Sequence, residues 1–222
     1  MEKTSALNVM LMVILTVAVL PLPGCQSAYY STMEMLGHPK REILVEKVED
    51  ARDSQTEVKV QFQTALEKFA QVVNFSGGEL EQKYNELKKE YEKSQSKSKA
   101  VEKRIADVKN VAAALFEEWQ KELEEYSSQE YRTKSEQQLN QTRQRYEKLI
   151  GAMDRSSEKI TPVLVVFKDQ VLFLKHNLNA QAVASLQGEL LSMEADVGSL
   201  IREMEISIAE ADAFIDSMMG QM

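Results

Sequence analysis

Leu44, Val48, Ala51, Gln55, Val58, Phe62, Ala65, Phe69 and Val72 follow one another four and three residues apart without a break. A helix completes a turn in 3.6 residues, so this spacing keeps the whole row on one stripe of its surface, the a/d seam by which helices pack together. No alternating strand pattern competes with it anywhere in the chain. A fold that accommodates such a row must lay at least one further helix against it.

The sequence supplies that helix at once. Asn74-Phe75-Ser76-Gly77-Gly78 interrupts the row, and paired glycines disfavour helix while permitting a tight turn. A second seam then runs through Leu80, Tyr84, Leu87, Tyr91, Ser94, Ser98, Val101, Ile105, Val108, Ala112, Leu115 and Trp119. Folding back at Ser76 sets Phe69 opposite Tyr84, Phe62 opposite Tyr91 and Gln55 opposite Ser98, with Ser94 beside Val58. Polar residues meeting at one level from both sides predict a shared polar layer that fixes register at some cost in stability.

Tyr126-Ser127-Ser128-Gln129-Glu130 marks the next boundary, with Ser127 and Glu130 at capping-box spacing; one helix running straight through is the rival reading. The third segment carries Leu139, Thr142, Tyr146, Leu149, Met153 and Ile160. From Pro162 to Leu174 it turns apolar on nearly every side, which predicts cover from more than one neighbour. Thr161-Pro162 reads equally as a helix start, with proline in the first turn, or as a kink in a longer helix. Asn177-Leu178-Asn179 ends this segment, and Asn179 is placed to cap a last helix. There Val183, Leu186, Leu190, Met193, Val197, Leu200, Met204, Ser207, Ala211, Phe214 and Met218 restore the three-four spacing. Gly188 and Gly198, with Ala195, are expected to let this helix approach a neighbour closely, since mid-helix glycine otherwise costs about 1 kcal/mol.

The chain is therefore expected to be all-α: an elongated antiparallel bundle of about four long helices, running up-down-up-down over residues 41–220, with coiled-coil-like seams. The outer helices would hold about 33 and 38 residues and the middle two about 50, so the middle pair should overhang one end by about 15 to 20 Å at 1.5 Å per residue. Phe116, Trp119, Leu123, Tyr126 and Tyr131 fall on that overhang as a candidate partner-binding tip. Its acids, Glu117, Glu118, Glu122, Glu124, Glu125 and Glu130, argue against insertion into anionic lipid. The structural alternative is that Trp119 closes the seam.

Ahead of the bundle stands the only cysteine, in Leu20-Pro21-Leu22-Pro23-Gly24-Cys25-Gln26-Ser27. The apolar run from Val9 to Leu20, interrupted only by Thr16, has the length of a signal-peptide core and is short for a spanning helix, which needs about 20 apolar residues. Leu22-Pro23-Gly24-Cys25 resembles a bacterial lipobox, which implies residues 1–24 as a lipoprotein signal peptide, lipid attachment at Cys25, and residues 25–40 as a tether. Pro23 departs from the small residue usual at its place. An uncleaved anchor and a simple secretory signal are the other readings. Gln26, where an aspartate would retain such proteins at the inner membrane, implies the outer membrane, facing the periplasm. A lone cysteine has no disulfide partner within the chain.

Function is much less constrained. The formal charge of −8 argues against a general nucleic-acid binder. His38 and His176 are the only imidazoles, neither has a glutamate three residues before it, and no second cysteine is present for zinc. No catalytic residue, metal or cofactor is expected, and His176 reads as a helix-end residue. Lys88–Lys109 has eight basic against four acidic side chains, while Glu189–Asp216 has eight acids against Arg202; both read first as solvated helix faces, with mutual attraction within the bundle, or contact of one with an envelope polymer or lipid headgroups, as the other readings.

A lipobox followed by long Lys/Glu-rich helix is similar to a domain-of-unknown-function family of proteobacterial envelope lipoproteins. The resemblance implies an envelope location and a helical fold, and brings no catalytic residues. The expected function is a non-catalytic structural scaffold or adaptor, held to the membrane by its lipid, with an envelope protein as partner and self-association left open. The alternative is a bundle that opens around a lipid or other apolar ligand.

Overall fold

The computed structural model describes residues 39–75 and 79–220. Cys25, the signal sequence, the tether up to His38, and Ser76-Gly77-Gly78 lie outside the described residues. From Lys40 onward the chain forms one compact unit of four helices: α1 (Lys40–Val73), α2 (Leu80–Glu125), α3 (Gln129–His176) and α4 (Ala180–Met219). They hold 34, 46, 48 and 40 residues, close to the expected lengths. Each helix packs on its sequence neighbours and α4 returns to α1. The arrangement is a four-membered ring with no strand among the described residues.

Burial follows the three-four rows. All nine seam residues of α1, from Leu44 to Val72, are inaccessible to solvent, Gln55 included. On α4, every seam residue except Leu190 is buried. Large side chains also meet across the diagonal: the Phe167 ring on α3 lies 6.4 Å from that of Phe62 and 6.2 Å from that of Phe69 on α1. Each fully buried phenylalanine contributes roughly 1.5–3 kcal/mol by removal from water. The α1–α2 register is pinned by Lys97–Glu57 at 2.6 Å, Arg104–Asp50 at 2.9 Å and Lys68–Glu86 at 3.1 Å. These pairs place Phe69, Phe62 and Gln55 within one residue of the expected partners.

The polar layer exists, with different members. Gln55 Nε2 donates to Ser156 Oγ on α3 at 2.7 Å, and Gln55 Oε1 accepts from Ser207 Oγ on α4 at 2.9 Å. Ser94 and Ser98 are buried, but each hydroxyl donates to the carbonyl one turn back on α2, at 2.8 and 2.7 Å. A serine in a helix reaches its own i−4 carbonyl without reorganisation, so these two need nothing from Gln55.

The boundaries sharpen in the same way. α2 and α3 are separate helices, but the cap is Ser128, whose Oγ accepts from Tyr131 N at 3.5 Å. Glu130 therefore does not close a capping box with Ser127. Asn179 caps α4 as expected, accepting from Ala182 N at 2.9 Å. Helix α3 continues through Pro162, so Thr161-Pro162 is internal and starts no helix.

Two packing expectations are overturned. A Cβ added to Gly188 would meet nothing within 4 Å, and at Gly198 only Arg202 of the same helix at 3.7 Å; Ala195 is exposed. These residues mediate no close helix approach. The apolar stretch of α3 is not covered on all sides either: Val165, Leu172 and Phe173 are 51%, 46% and 41% exposed. In a ring of four, a helix buries its inner face and its two flanks, so an apolar outer face stays in solvent.

Candidate functional site

The overhang expected at one end is built by α2 and α3. Lys40 Nζ at the start of α1 meets Glu118 at 2.8 Å, and α2 runs on for a further seven residues to Glu125, about 10 Å at 1.5 Å per residue. Near the other boundary Arg145 bonds Ser217, two residues before α4 ends at Met219. Helix α3 begins 16 residues before Arg145, so it outruns α4 by about 20 Å. The result is a two-helix hairpin closed by the short turn at Tyr126-Ser127-Ser128.

The five candidate tip residues separate into two groups. Phe116, Trp119 and Leu123 are buried. Trp119 Nε1 donates to Ser135 Oγ on α3 at 2.8 Å, and the Arg41 guanidinium lies 4.8 Å from the centre of its ring. Such a cation–π contact contributes about 0.5–1 kcal/mol at a partly exposed site. Phe116 meets Tyr146 edge-on at 5.4 Å, and Arg143 both covers the Phe116 ring at 5.5 Å and donates to its carbonyl at 3.4 Å. Burial, followed by the charge of Asp154, pushes the Tyr146 phenol up from its ordinary value. These side chains join the hairpin to the body of the bundle. Trp119 closes the seam.

Tyr126 and Tyr131 are the exposed pair, at 43% and 63%. Tyr126 shares an open groove of about 290 Å³ with Glu122 and Glu125. The acids around it are partly matched within their own helices, Lys121 to Glu117 at 2.7 Å and Lys134 to Glu130 at 2.6 Å. The tip therefore presents phenols in an acidic, solvated setting.

The two charged stretches do not face each other. Lys97, Arg104 and Lys109 of α2 pair with Glu57, Asp50 and Asp154 on α1 and α3. The acids of α4 meet Arg52 and Lys59 on α1, at 3.0 and 3.5 Å, and Arg155 on α3, at 3.7 Å. Helices α2 and α4 lie across the ring from each other, so each is matched through the helices between them.

Sequence reasoning missed two polar features of the core. Gln61 Nε2 donates to the Glu90 carboxylate at 2.8 Å, and Lys93 also reaches it at 2.8 Å. Burial pushes this carboxyl up, but the Gln61 and Lys93 bonds outweigh burial and hold Glu90 below the usual carboxylate range. Gln170 on α3 is 5% exposed, and neither atom of its carboxamide has a hydrogen-bond partner. Both glutamines sit where the helical spacing turns inward, which is the only signal the sequence carried for them.

Among the described residues no three His, Cys, Asp or Glu side chains converge as a metal site, and no helix is long and apolar enough to cross a membrane. His176 is the exposed last residue of α3, and His38 lies outside the described residues. No curated protein and no solved structure matches the chain. Residues 29–218 match DUF2959, a family described as protein of unknown function, and the chain belongs to that family.

Proposed function

We propose that this member of the DUF2959 family is a non-catalytic scaffold or adaptor of the cell envelope, tethered to the outer membrane by lipid on Cys25 and facing the periplasm. The α2–α3 hairpin carries this reading: it extends past both outer helices and ends in exposed Tyr126 and Tyr131, while Phe116, Trp119 and Leu123 brace it from within. Long antiparallel helices with continuous seams give stiffness over distance. Helix α1 starts beside the base of the hairpin, through Lys40–Glu118 and Arg41–Trp119, so the tethering segment joins the bundle at its working end. The anchor holds because a bacterial lipoprotein cysteine carries several acyl chains, whereas a single chain binds only marginally.

Photo-cross-linking in cells, with the reactive residue placed in turn at Tyr126 and Tyr131, tests the adaptor. One discrete envelope protein captured at both positions supports it. Self-cross-links alone would make the protein an oligomeric scaffold, and no product at either position would remove the tip from consideration. Cys25→Ala tests the anchor separately: the chain should leave the membrane fraction and lose incorporation of an alkynyl fatty acid.

A further inference from the structure

At the opposite end of the bundle from the hairpin tip, α2 and α3 enclose a groove of about 190 Å³ lined by Tyr84, Lys88, Tyr91, Val171, Leu172 and Lys175, with Glu92 and Lys168 completing its rim. Val171 and Tyr84 are buried beneath it, while Leu172 stands exposed along it. On α3, Val165, Lys168, Leu172 and Lys175 follow at three-four-three spacing, so they share one helix face. That face alternates apolar and cationic side chains, and Val165 extends its apolar track beyond the groove.

The rim charges are unevenly satisfied. Lys88 pairs with Glu92 at 3.7 Å, whereas Lys168 and Lys175 have no ion pair among the described residues. Tyr91 Oη accepts from Gln95 Nε2 at 3.3 Å. Burial first, then the charges of Asp169 and Glu92, pushes its phenol up from the ordinary value, so it remains a neutral donor at physiological pH.

We infer that this groove binds a single-chain anionic amphiphile, a fatty carboxylate, with the carboxylate between the α3 lysines and the first part of the chain on Val171 and Leu172 between the two tyrosines. Charge selects an anion, since two unpaired lysines border an apolar floor and lysine stems lie readily along an acyl chain. Size selects a slim ligand: the groove, at about 190 Å³, is smaller than the roughly 300–1,000 Å³ of sites that enclose whole drug-sized ligands, and it takes the first part of one chain. This inference is independent of the scaffold reading, because the groove and the tip occupy opposite ends of the molecule.

Titration calorimetry of the purified full chain with monomeric laurate, dodecyltrimethylammonium and dodecyl maltoside tests it. Laurate should bind saturably at one site and at least fivefold more tightly than either of the others. Lys168→Gln combined with Lys175→Gln should weaken laurate about fivefold or more, in line with two exposed charge contacts, and leave dodecyl maltoside unchanged. Both lysines are exposed, so folding should be retained and is checked by circular dichroism. Tyr131→Ala, at the other end, should bind laurate as the parent does. Equal binding of the anionic and cationic probes, no saturable laurate binding, or an unaffected double variant would overturn the inference. Binding only to phosphatidylglycerol vesicles would also overturn it, by assigning the lysines to a bilayer surface.

Discussion

Gln55 on α1 donates to Ser156 on α3, 101 positions further along the chain, at 2.7 Å. The bond crosses the centre of the bundle, and the same carboxamide accepts from Ser207 on α4 at 2.9 Å. Three helices are thereby held at one level by a single fully buried side chain.

Replacing Gln55 by Leu should destabilise the bundle by about 1–2 kcal/mol, because both cross-helix bonds are lost and the buried Ser156 oxygen is left without its donor, while Ser207 turns to its own helix. The triple change Gln55→Leu, Ser156→Ala, Ser207→Ala should recover most of that loss, since removing all partners avoids an orphaned group. Urea unfolding of the parent, the Gln55→Leu variant and the triple variant measures both effects.

Gln170 offers the opposite sign. Its carboxamide is buried with neither atom bonded, a desolvation penalty of about 1–3 kcal/mol per unsatisfied group. Gln170→Leu, of similar size, should raise the unfolding free energy by about 1 kcal/mol or more. A loss of stability instead would show that the carboxamide finds a partner in solution.

Gly188 has open space where a side chain would stand. Gly188→Ala should therefore stabilise by roughly 0.5–1 kcal/mol through helix propensity alone. Thermal unfolding would show it as a higher Tm with no change in helix content.

Acid should weaken the α1–α2 interface through Glu90. Its carboxyl is held below the ordinary value of 4.5 in the folded chain. The stabilisation this gives is present above that value and is lost as pH falls through the lower folded pKa. Glu90→Gln should accordingly flatten the stability profile below about pH 4.5, read from urea midpoints across the acid range.

At the hairpin, Trp119→Ala should cost about 3–5 kcal/mol as a core truncation, whereas Tyr131→Ala should change stability by less than about 0.5 kcal/mol as a surface change. Equal effects would contradict the division between bracing and exposed aromatics.

These contrasts also show which features were legible in the sequence. The seams were, from Leu44 to Val72 and from Val183 to Met218, because burial of an apolar stripe depends only on helical spacing. The α1–α2 register was legible too, since a connection of six residues between Val73 and Leu80 leaves little freedom. The partners of Gln55 were not: the level of α3 against α1 depends on how the whole ring closes, and Ser94 and Ser98 had nearer acceptors on their own helix. The apolar stretch of α3 predicts enclosure, whereas hydrophobicity at Val165, Leu172 and Phe173 cannot by itself recruit a fifth helix. For the tip, spacing placed Leu123, Tyr126 and Tyr131 correctly past the ends of the outer helices, but Phe116 falls below the Lys40–Glu118 level, within the body of the bundle; nor could spacing tell Trp119, braced by Ser135 and Arg41, from Tyr131, which extends into solvent.

Three of the four seams in the ring lie between helices joined by a short connection of the chain, and the α1–α4 seam does not. If the bundle opens as a book, that seam is its free edge and the α2–α3 turn is its spine. Beyond its apolar packing, the free edge is fastened by two partly exposed ion pairs, Arg52–Asp212 and Lys59–Glu205, and by the bond from Ser207 to Gln55. Salt screens the first kind of fastening and leaves the buried one intact, so the Gln55 layer serves as the clasp.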